Sequence, residues 1–494
     1  VLTSDPWLLL LVVVPLMAAP VCVLLHNATA AWAVALAVSW FIFAIALKLL
    51  FQVLDQGEVF YRIGGWDAPW GIEYKLDIIG AFVVVIVATI GAVVMPYAKK
   101  SVESEVSKER IYIFYAMLLL CLSGLLGITV TGDAFNLFVF LEISSLSSYV
   151  LISLGRDRRA LTAAYRYLVM GTIGATFYII GVGLMYQMTG TLNIADLTTI
   201  MPAVVDTRTV LAALAFLTVG ISLKLALFPL HMWLPNAYTF APSAVTAFLA
   251  ATATKVSLYV LLRIFFTVFG EVDIFATFPP IQPILIGMAL AAMFLASLSA
   301  IWQENLKRMM AYSSIAQIGY MVLGVALATE AGLAGGIIHM FNHALIKATA
   351  FLAIGAIVYC TGAVTLNDLK GIGKRMPLLM AAFIVAGLGL VGVPLTVGFV
   401  SKWQLVTAAL EADMWPLAAL ILLSSLLAVI YVWRIFEVAY LREPQGEPAP
   451  MKKLPLSMLI PTWTLALASL YFGAHATFTI NIAHAAARQL MGGM

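Results

Sequence analysis

A run of about 20 mainly apolar residues is enough to cross the hydrocarbon of a bilayer as a helix. This chain repeats such runs along almost its whole length. About fourteen candidate spans can be read: 7–26, 30–52, 76–97, 111–130, 134–154, 162–188, 207–230, 240–267, 279–301, 312–328, 332–359, 377–405, 414–439 and 454–474. Charged or proline-bearing stretches separate many of them: Lys99 to Arg110, Arg156-Asp157-Arg158-Arg159, Gln303 to Arg308, Asp368 to Arg375, and Arg442 to Lys453. Of 494 residues, 63% are hydrophobic and 10% charged, against about 25% charged in soluble domains. Lipid offers no partner to a backbone N–H or C=O, so a lone spanning segment must satisfy its own, as a helix does. The expected fold is an all-α membrane protein with about 14 transmembrane helices.

The same composition excludes several classes. A net charge of +3, with basic residues scattered between apolar runs, gives no basic face for nucleic acid. Cys22, Cys121 and Cys360 stand alone, without iron–sulfur, haem or CxxC spacing. No glycine-rich loop follows a strand pattern, so neither a cofactor nor a metal is expected. The first run starts at Trp7 with no basic residue before it, which reads as a permanent span and not a cleaved signal. Loops after odd-numbered spans hold most lysines and arginines, among them Lys99, Lys100, Arg156, Arg158, Arg159, Lys307, Arg308 and Lys374. Loops after even spans, with the C-terminus, hold Arg62, Lys75, Arg208 and Arg488. By the positive-inside rule the odd loops are cytoplasmic and both termini face outward. The sequon Asn27-Ala28-Thr29 then faces the cytoplasm and is no glycan site.

An internal repeat divides the chain. Tyr186 to Gly190 with Thr191-Leu192-Asn193 and Asp196-Leu197 is echoed by Tyr359 to Gly362 with Thr365-Leu366-Asn367-Asp368-Leu369. Ser148-Tyr149 is echoed by Gly319-Tyr320, and Lys224 by Lys402, at offsets of about 171–178 residues. Spans four to eight and nine to thirteen are then two copies of a five-helix unit. An odd number of spans per copy makes the copies inverted, as in many transporters. The organisation expected is 1–110 (spans one to three), 111–267 (first copy), 268–440 (second copy) and 441–494 (span fourteen and tail). Between spans two and three, β-prone stretches flank Gly64-Gly65 and suggest an external hairpin, either a structural clasp or a partner site.

Titratable residues lie inside the spans: Glu142 in span five, Lys224 in seven, Lys255 in eight, His339, His343 and Lys347 in eleven, and Lys402 in twelve. A charge at the centre of a membrane helix costs at least ~2.5–3.5 kcal/mol and is functional by default. Glu142 and Lys224 are the sharpest pair. At 4 Å and an effective dielectric near 20 their attraction is ~4 kcal/mol. Closing such a pair would hold a proton on the lysine, and opening it would release that proton inward; a fixed ion pair between helices is the other reading. Pro229 and Pro235 break span seven after its lysine, and Gly392 and Pro394 interrupt span twelve before its own. Lys255, with Tyr259 one turn on, reads as a relay or as a snorkelling lysine. His339 and His343 are one turn apart; with Lys347 beyond them and no nearby acid, proton relay outranks metal binding. Ser313, Ser314, Gln317 and Tyr320 give span ten a polar stripe, for interhelical bonds or for a water path. Arg434 and Glu437 read as an interfacial pair.

These residues resemble the antiporter-like subunits shared by Mrp-type multisubunit cation/proton antiporters, respiratory complex I and membrane-bound hydrogenases. The resemblance rests on Phe138 to Glu142, Lys224 to Ala237, Ala241-Pro242-Ser243, Thr254-Lys255-Val256 and Asn342 to Ala348. Gly64-Gly65-Trp66, Ala68 to Ile72, and a lysine at 402 resemble the D-type branch of the Mrp antiporter subunits. The resemblance implies a proton-translocating subunit with discontinuous spans seven and twelve. It implies that Glu142 and Lys224 are the gating pair, that Lys255 and the span-eleven histidines relay, and that Lys402 is the terminal site. It also implies other membrane subunits as partners, protons and sodium or potassium as ions, and a bacterial or archaeal cytoplasmic membrane. The proton-pumping subunits of redox-driven complexes are the alternative within the same resemblance. Val393 to Phe399 departs from the family's usual double-proline, serine-glycine form. The lack of a long lateral helix after span fourteen argues against the largest complex I and Mrp subunits.

Overall fold

The computed structural model describes residues 5–443 and 451–492. The chain opens with α1 (Pro6–Leu25) and α2 (Ala28–Gln56), joined by a tight turn in which the Asn27 side chain accepts from the amides of Thr29 and Ala30. The asparagine of the sequon is thus a helix cap. Strands β1 (Val59–Arg62) and β2 (Glu73–Leu76) follow, paired antiparallel with Val59 opposite Leu76. The hairpin was expected to close around Gly64-Gly65, but its connection runs over 63–72. The last bond between the two arms is Ile63 N–H to the Ile72 carbonyl at 3.0 Å, and Gly64 and Gly65, both at positive φ, bend the chain just after it.

α3 (Ile78–Glu105) runs past the expected end at 97 through residues that read as a charged loop. Lys100 pairs with Glu103 at 2.8 Å and Ser101 donates to Glu105 at 2.7 Å, which carries the helix out of the apolar run. α4 (Ile111–Val130), α5 (Ala134–Ser153) and α6 (Arg159–Thr189) are continuous. A short helix, α7 (Ile194–Val204), leads to α8 (Arg208–Leu225) and α9 (Leu234–Phe240), the two halves of a broken span. α10 (Ser243–Arg263) ends in a π-helical turn, Ile264–Val268. The apolar run alone ends span seven at 230 and misses its second half.

After α11 (Ile274–Thr277), α12 (Ile281–Ala291) and α13 (Ser297–Ile301) form one span through the π turn Ala292–Ala296. α14 (Leu306–Ala326) and α15 (Glu330–Thr361) come next, then α16 (Ile372–Arg375) and the second broken span, α17 (Pro377–Val391) and α18 (Val397–Glu411). α19 (Trp415–Phe436) ends in the π turn Glu437–Leu441. That turn brings Glu437 to Arg442, five residues on, at 2.8 Å; the expected partner was Arg434. α20 (Leu456–Ala474) is followed by α21 (Thr477–Leu490), an amphipathic helix against α3 and α15 where only a tail was expected.

Among the described residues, 13 continuous helical stretches are long and apolar enough to span a bilayer. The expected count of about fourteen is reached by adding α17 with α18, each too short alone. α15 is the hub: it packs on α3, α10, α14, α17, α18, α20 and α21, and is buried almost end to end. Two isolated bridges brace the loops, Asp133 with Asn193 and Asn305 with Thr365. Each partner of the second lies 172 positions after its counterpart (133 to 305, 193 to 365). The flanking amide bonds repeat as well: Ala134 to the Leu192 carbonyl and Leu306 to the Val364 carbonyl.

Candidate functional site

The first centre forms where α8 stops. Phe228 to Pro235 cannot continue a helix, and α8 ends at Leu225 with Ala226 in the left-handed region (φ 60). Trp233 stacks on Tyr167 with ring centroids 3.8 Å apart and donates its indole N–H to the Leu223 carbonyl at 2.9 Å, so the break satisfies its own backbone. Lys224 sits in that last turn. Its Nζ donates to Ser145 Oγ at 2.6 Å and lies 3.4 Å from Glu142 Oε1, both on α5. The lysine side chain is 4% exposed and the glutamate 25%. At this distance attraction is ~5 kcal/mol for an effective dielectric near 20.

The second centre is built differently. α17 ends at Gly392, whose φ of 89 suits glycine. A Cβ there would also lie 3.0 Å from Cδ of Lys402, so the glycine lets the lysine pass. Lys402 reaches back from α18 across the break and donates to the carbonyls of Leu390 (2.7 Å) and Val391 (3.1 Å). These are last-turn carbonyls, where the negative end of a helix dipole favours a cation. The ring of Tyr320 lies 4.8 Å from the ammonium.

Between the two centres runs α15. His339 Nδ1 lies 2.8 Å from Ser401 Oγ, next to Lys402, and its Nε2 lies 3.0 Å from Gln317 Oε1. With Nε2 donating to Gln317, Nδ1 accepts the serine hydroxyl. His343 stacks parallel with His339 at 6.1 Å, and neither of its buried ring nitrogens has a protein partner. Leaving such a group unsatisfied costs ~1–3 kcal/mol, so this position suits an internal water. Lys347 donates to the Met310 carbonyl at 2.9 Å and to Ser313 Oγ. Lys255 on α10 is fully buried and donates to the Ala250 carbonyl and to Thr254 Oγ1 (3.4 Å). It turns back toward the start of α10, away from Tyr259, with which its spacing groups it. The polar stripe of α14 serves the line: Ser313 meets Lys347, Gln317 meets His339, and Tyr320 meets Lys402.

Two buried clusters escape a reading of the sequence. Arg263, two turns beyond Lys255 on the same face of α10, pairs with Asp77 and donates to the Tyr259 hydroxyl at 2.8 Å. Burial pushes the Asp77 carboxyl up, but the charge and hydrogen bond of Arg263, the Gly80 amide and Lys75 together hold it below the usual range. The i, i+4, i+8 spacing of Lys255, Tyr259 and Arg263 is the available signal. The second cluster is Glu105, Lys307 and Ser243, where α3, α14 and α10 meet. The sequence places Lys307 in a loop because the expected span begins at 312.

Broken helices carrying buried lysines, with further titratable groups on α10 and α15 between them, are features of helical membrane proteins that handle ions. Residues 131–428 match the family described as "NADH:quinone oxidoreductase/Mrp antiporter, TM", and the chain belongs to it. The chain is 41% identical over 480 residues to the N-type subunit of the NADH-quinone oxidoreductase of Desulforudis audaxviator, covering 94% of this chain and 95% of that one. It is 33% identical over 396 residues to the D-type subunit of the Na(+)/H(+) antiporter of Alkalihalophilus pseudofirmus, covering 80% and 79%. Among solved structures, a chain of the membrane-bound sulfane sulfur reductase, an archaeal respiratory membrane complex, superposes with a TM-score of 0.91 at 32% identity, covering 99% and 98%. The protein is therefore an antiporter-like subunit of the kind found in multisubunit membrane complexes.

Proposed function

We propose that this subunit moves protons across the bilayer along Glu142, Lys224, Lys255, His343, His339 and Lys402, with Lys347 joining the line beside His343. The observation that carries the reading is the Lys224 centre: a lysine 4% exposed, bonded across two helices to Glu142 and Ser145, at the end of a helix that stops there. While Glu142 stays close, Lys224 keeps its proton; when Glu142 withdraws, burial drives the proton toward Lys255 and the histidines. His339, bonded to Ser401, delivers it to the neighbourhood of Lys402. Removing Lys224 with Lys224→Ala abolishes proton-coupled transport in membrane vesicles while the complex still assembles. Coupling unchanged in that variant refutes the proposal.

The two bridges 172 residues apart support the reading of 111–267 and 268–440 as inverted copies, flanked by 1–110 and 441–494. Basic loops support odd loops in the cytoplasm and both termini outside, in a bacterial or archaeal cytoplasmic membrane. A neighbouring subunit is supported by α5. Phe135, Val139, Leu146 and Val150 form an exposed apolar row, and Glu142 lies within it. A carboxylate in such a row suits a protein neighbour better than lipid.

The drive is read as exchange of a monovalent cation, sodium or potassium, for protons; the name of the antiporter relative gives sodium. That makes the subunit part of a secondary transporter and not an enzyme. The higher identity to the quinone oxidoreductase relative favours a second reading, a proton pump in a redox-driven complex. Purification of the intact complex separates them: iron–sulfur subunits travelling with the chain establish the second, and their absence from an active cation/proton exchanger establishes the first.

A further inference from the structure

We infer that a cavity of about 220 Å³ between the two halves is the proton uptake mouth on the face with the basic loops, and that Glu105 is its loading residue. The inference rests on the proton line proposed above and names where protons join it, at Lys347. The cavity lies where the end of α3, the loop before α6, the junction of α9 with α10, the start of α14 and the last turns of α15 converge. With alternating spans, all five lie on one membrane face. Four charged groups line it: Glu105, Arg156, Asp157 and Lys307.

Glu105 holds several partners at once. Its Oε2 accepts from the backbone N–H (2.9 Å) and hydroxyl (3.0 Å) of Ser243 at the start of α10, and lies 3.8 Å from Lys307 Nζ. Its Oε1 accepts from Ser101 at 2.7 Å. Lys307 Nζ also donates to the Ala241 carbonyl at 3.0 Å, so it stays in place when the carboxylate is neutralised. A carboxylate tied to the first half, facing a lysine of the second across a wet cavity, can take a proton from water and give it up again.

The geometry also says where that proton goes. Ile354 and Val358 line the cavity, and Lys347 lies on the same face of α15, seven residues from Ile354. At about 1.5 Å per residue that is about 10 Å deeper. On α14, Lys307 at the mouth, the Met310 carbonyl and Ser313 follow at three-residue steps, and the last two hold Lys347 Nζ. The transfer balances. An O–H bond of a protonated cavity water breaks and one forms on Glu105. The O–H bond on Glu105 then breaks as water between it and Ser313 takes the proton; Ser313 gives its hydroxyl proton to a neutral Lys347 amine and accepts one from that water in return, so that one ammonium is formed and Glu105 is again a carboxylate.

The test uses the intact complex in vesicles of both orientations. Ile354→Cys and Val358→Cys are made in a chain whose Cys22, Cys121 and Cys360 are alanine, and treated with a charged, membrane-impermeant thiol reagent. Labelling only from the basic-loop side, with loss of transport, is expected. Labelling only from the opposite side, or none, overturns the inference. Glu105→Gln keeps an acceptor for Ser243 but cannot hold the proton; transport falls about tenfold, the complex still assembles, and Glu105→Asp restores at least half the rate. Full transport in Glu105→Gln, with Lys224→Ala inactive, sinks the mouth and leaves the proton line standing. Full transport in both sinks the line itself.

Discussion

Lys224 and Lys402 sit at the two helix breaks of one molecule and are held by opposite means. Lys224 faces a carboxylate and a hydroxyl on another helix, α5, while Trp233 takes the carbonyl that the break frees. Among the described residues no carboxylate pairs with Lys402; it takes the freed carbonyls of its own broken span and lies against Tyr320. The first lysine is therefore held by side chains of another helix, and the second by the backbone of its own span. On the proposed mechanism the first centre is the switch, and the second receives and releases at a steady setting.

The largest expected effect breaks the switch. Glu142→Gln removes the counter-charge and leaves the Lys224 ammonium with Ser145 alone. Removing one partner of a buried pair costs ~3–5 kcal/mol, less here because the glutamate is partly exposed. With no counter-charge to hold the proton on Lys224, proton-coupled transport falls to background. A ΔpH assay in inverted vesicles reads this directly, and a loss under tenfold would mean that Glu142 is not what holds the proton.

Next is Lys402→Arg. Guanidinium keeps the positive charge and can still reach carbonyls, but it does not give up its proton in proteins. If Lys402 carries protons, transport drops about 100-fold while thermal stability of the purified complex changes little. Transport within twofold of the parent would show a fixed charge that only shapes the field. The second centre would then differ from the first in kind, not merely in partners.

The two centres were unequally legible in the sequence. Both lysines stood out because charge inside a 20-residue apolar run is rare, and the prolines after Lys224 announced its break. Glu142 as a partner was readable too, since it is an intramembrane acid just ahead of Ser144 and Ser145. What holds Lys402 was not readable, because backbone carbonyls carry no signature of their own; Gly392 and Pro394 hinted at the break and not at what it offers. Glu105 and Lys307 were missed for a related reason. Near a helix end a charge looks like loop, and only the packing of α3, α10 and α14 shows that these two are enclosed. The hub role of α15 was likewise hidden, because apart from His339, Asn342, His343 and Lys347 its middle is largely apolar, and an apolar face looks the same against lipid and in a protein core.

A smaller effect asks how much of the first centre is hydroxyl. Ser145 Oγ lies closer to Lys224 Nζ than Glu142 does, 2.6 against 3.4 Å. A hydrogen bond to a charged group contributes about 1.5 kcal/mol at the low end, so Ser145→Ala lowers transport about tenfold. Steady-state rates in the Ser145→Ala and Glu142→Gln vesicles, made side by side, rank the two partners. Equal losses would make Lys224 a serine-held lysine and weaken the contrast with Lys402.

The smallest change attempts to turn the first centre into the second. Trp233→Phe keeps an aromatic ring over Tyr167 but deletes the N–H that occupies the Leu223 carbonyl. The carbonyl keeps the Ala226 N–H at 3.2 Å but loses one of its two donors, which costs at most about 1 kcal/mol of stability, a fall in melting temperature of a few degrees at most for a chain this size. The lone pair set free belongs to the residue just before Lys224, so the ammonium gains an acceptor that does not move with α5. Lys224 then leans on backbone as Lys402 does, and Glu142 loses part of its hold. Transport falls two- to threefold, and Ser145→Ala in the same chain costs less than it does alone, because the carbonyl replaces the hydroxyl. Strictly additive losses in the double variant would show that the carbonyl is out of reach, and that the difference between the two breaks is fixed by geometry and not by which donor arrives first.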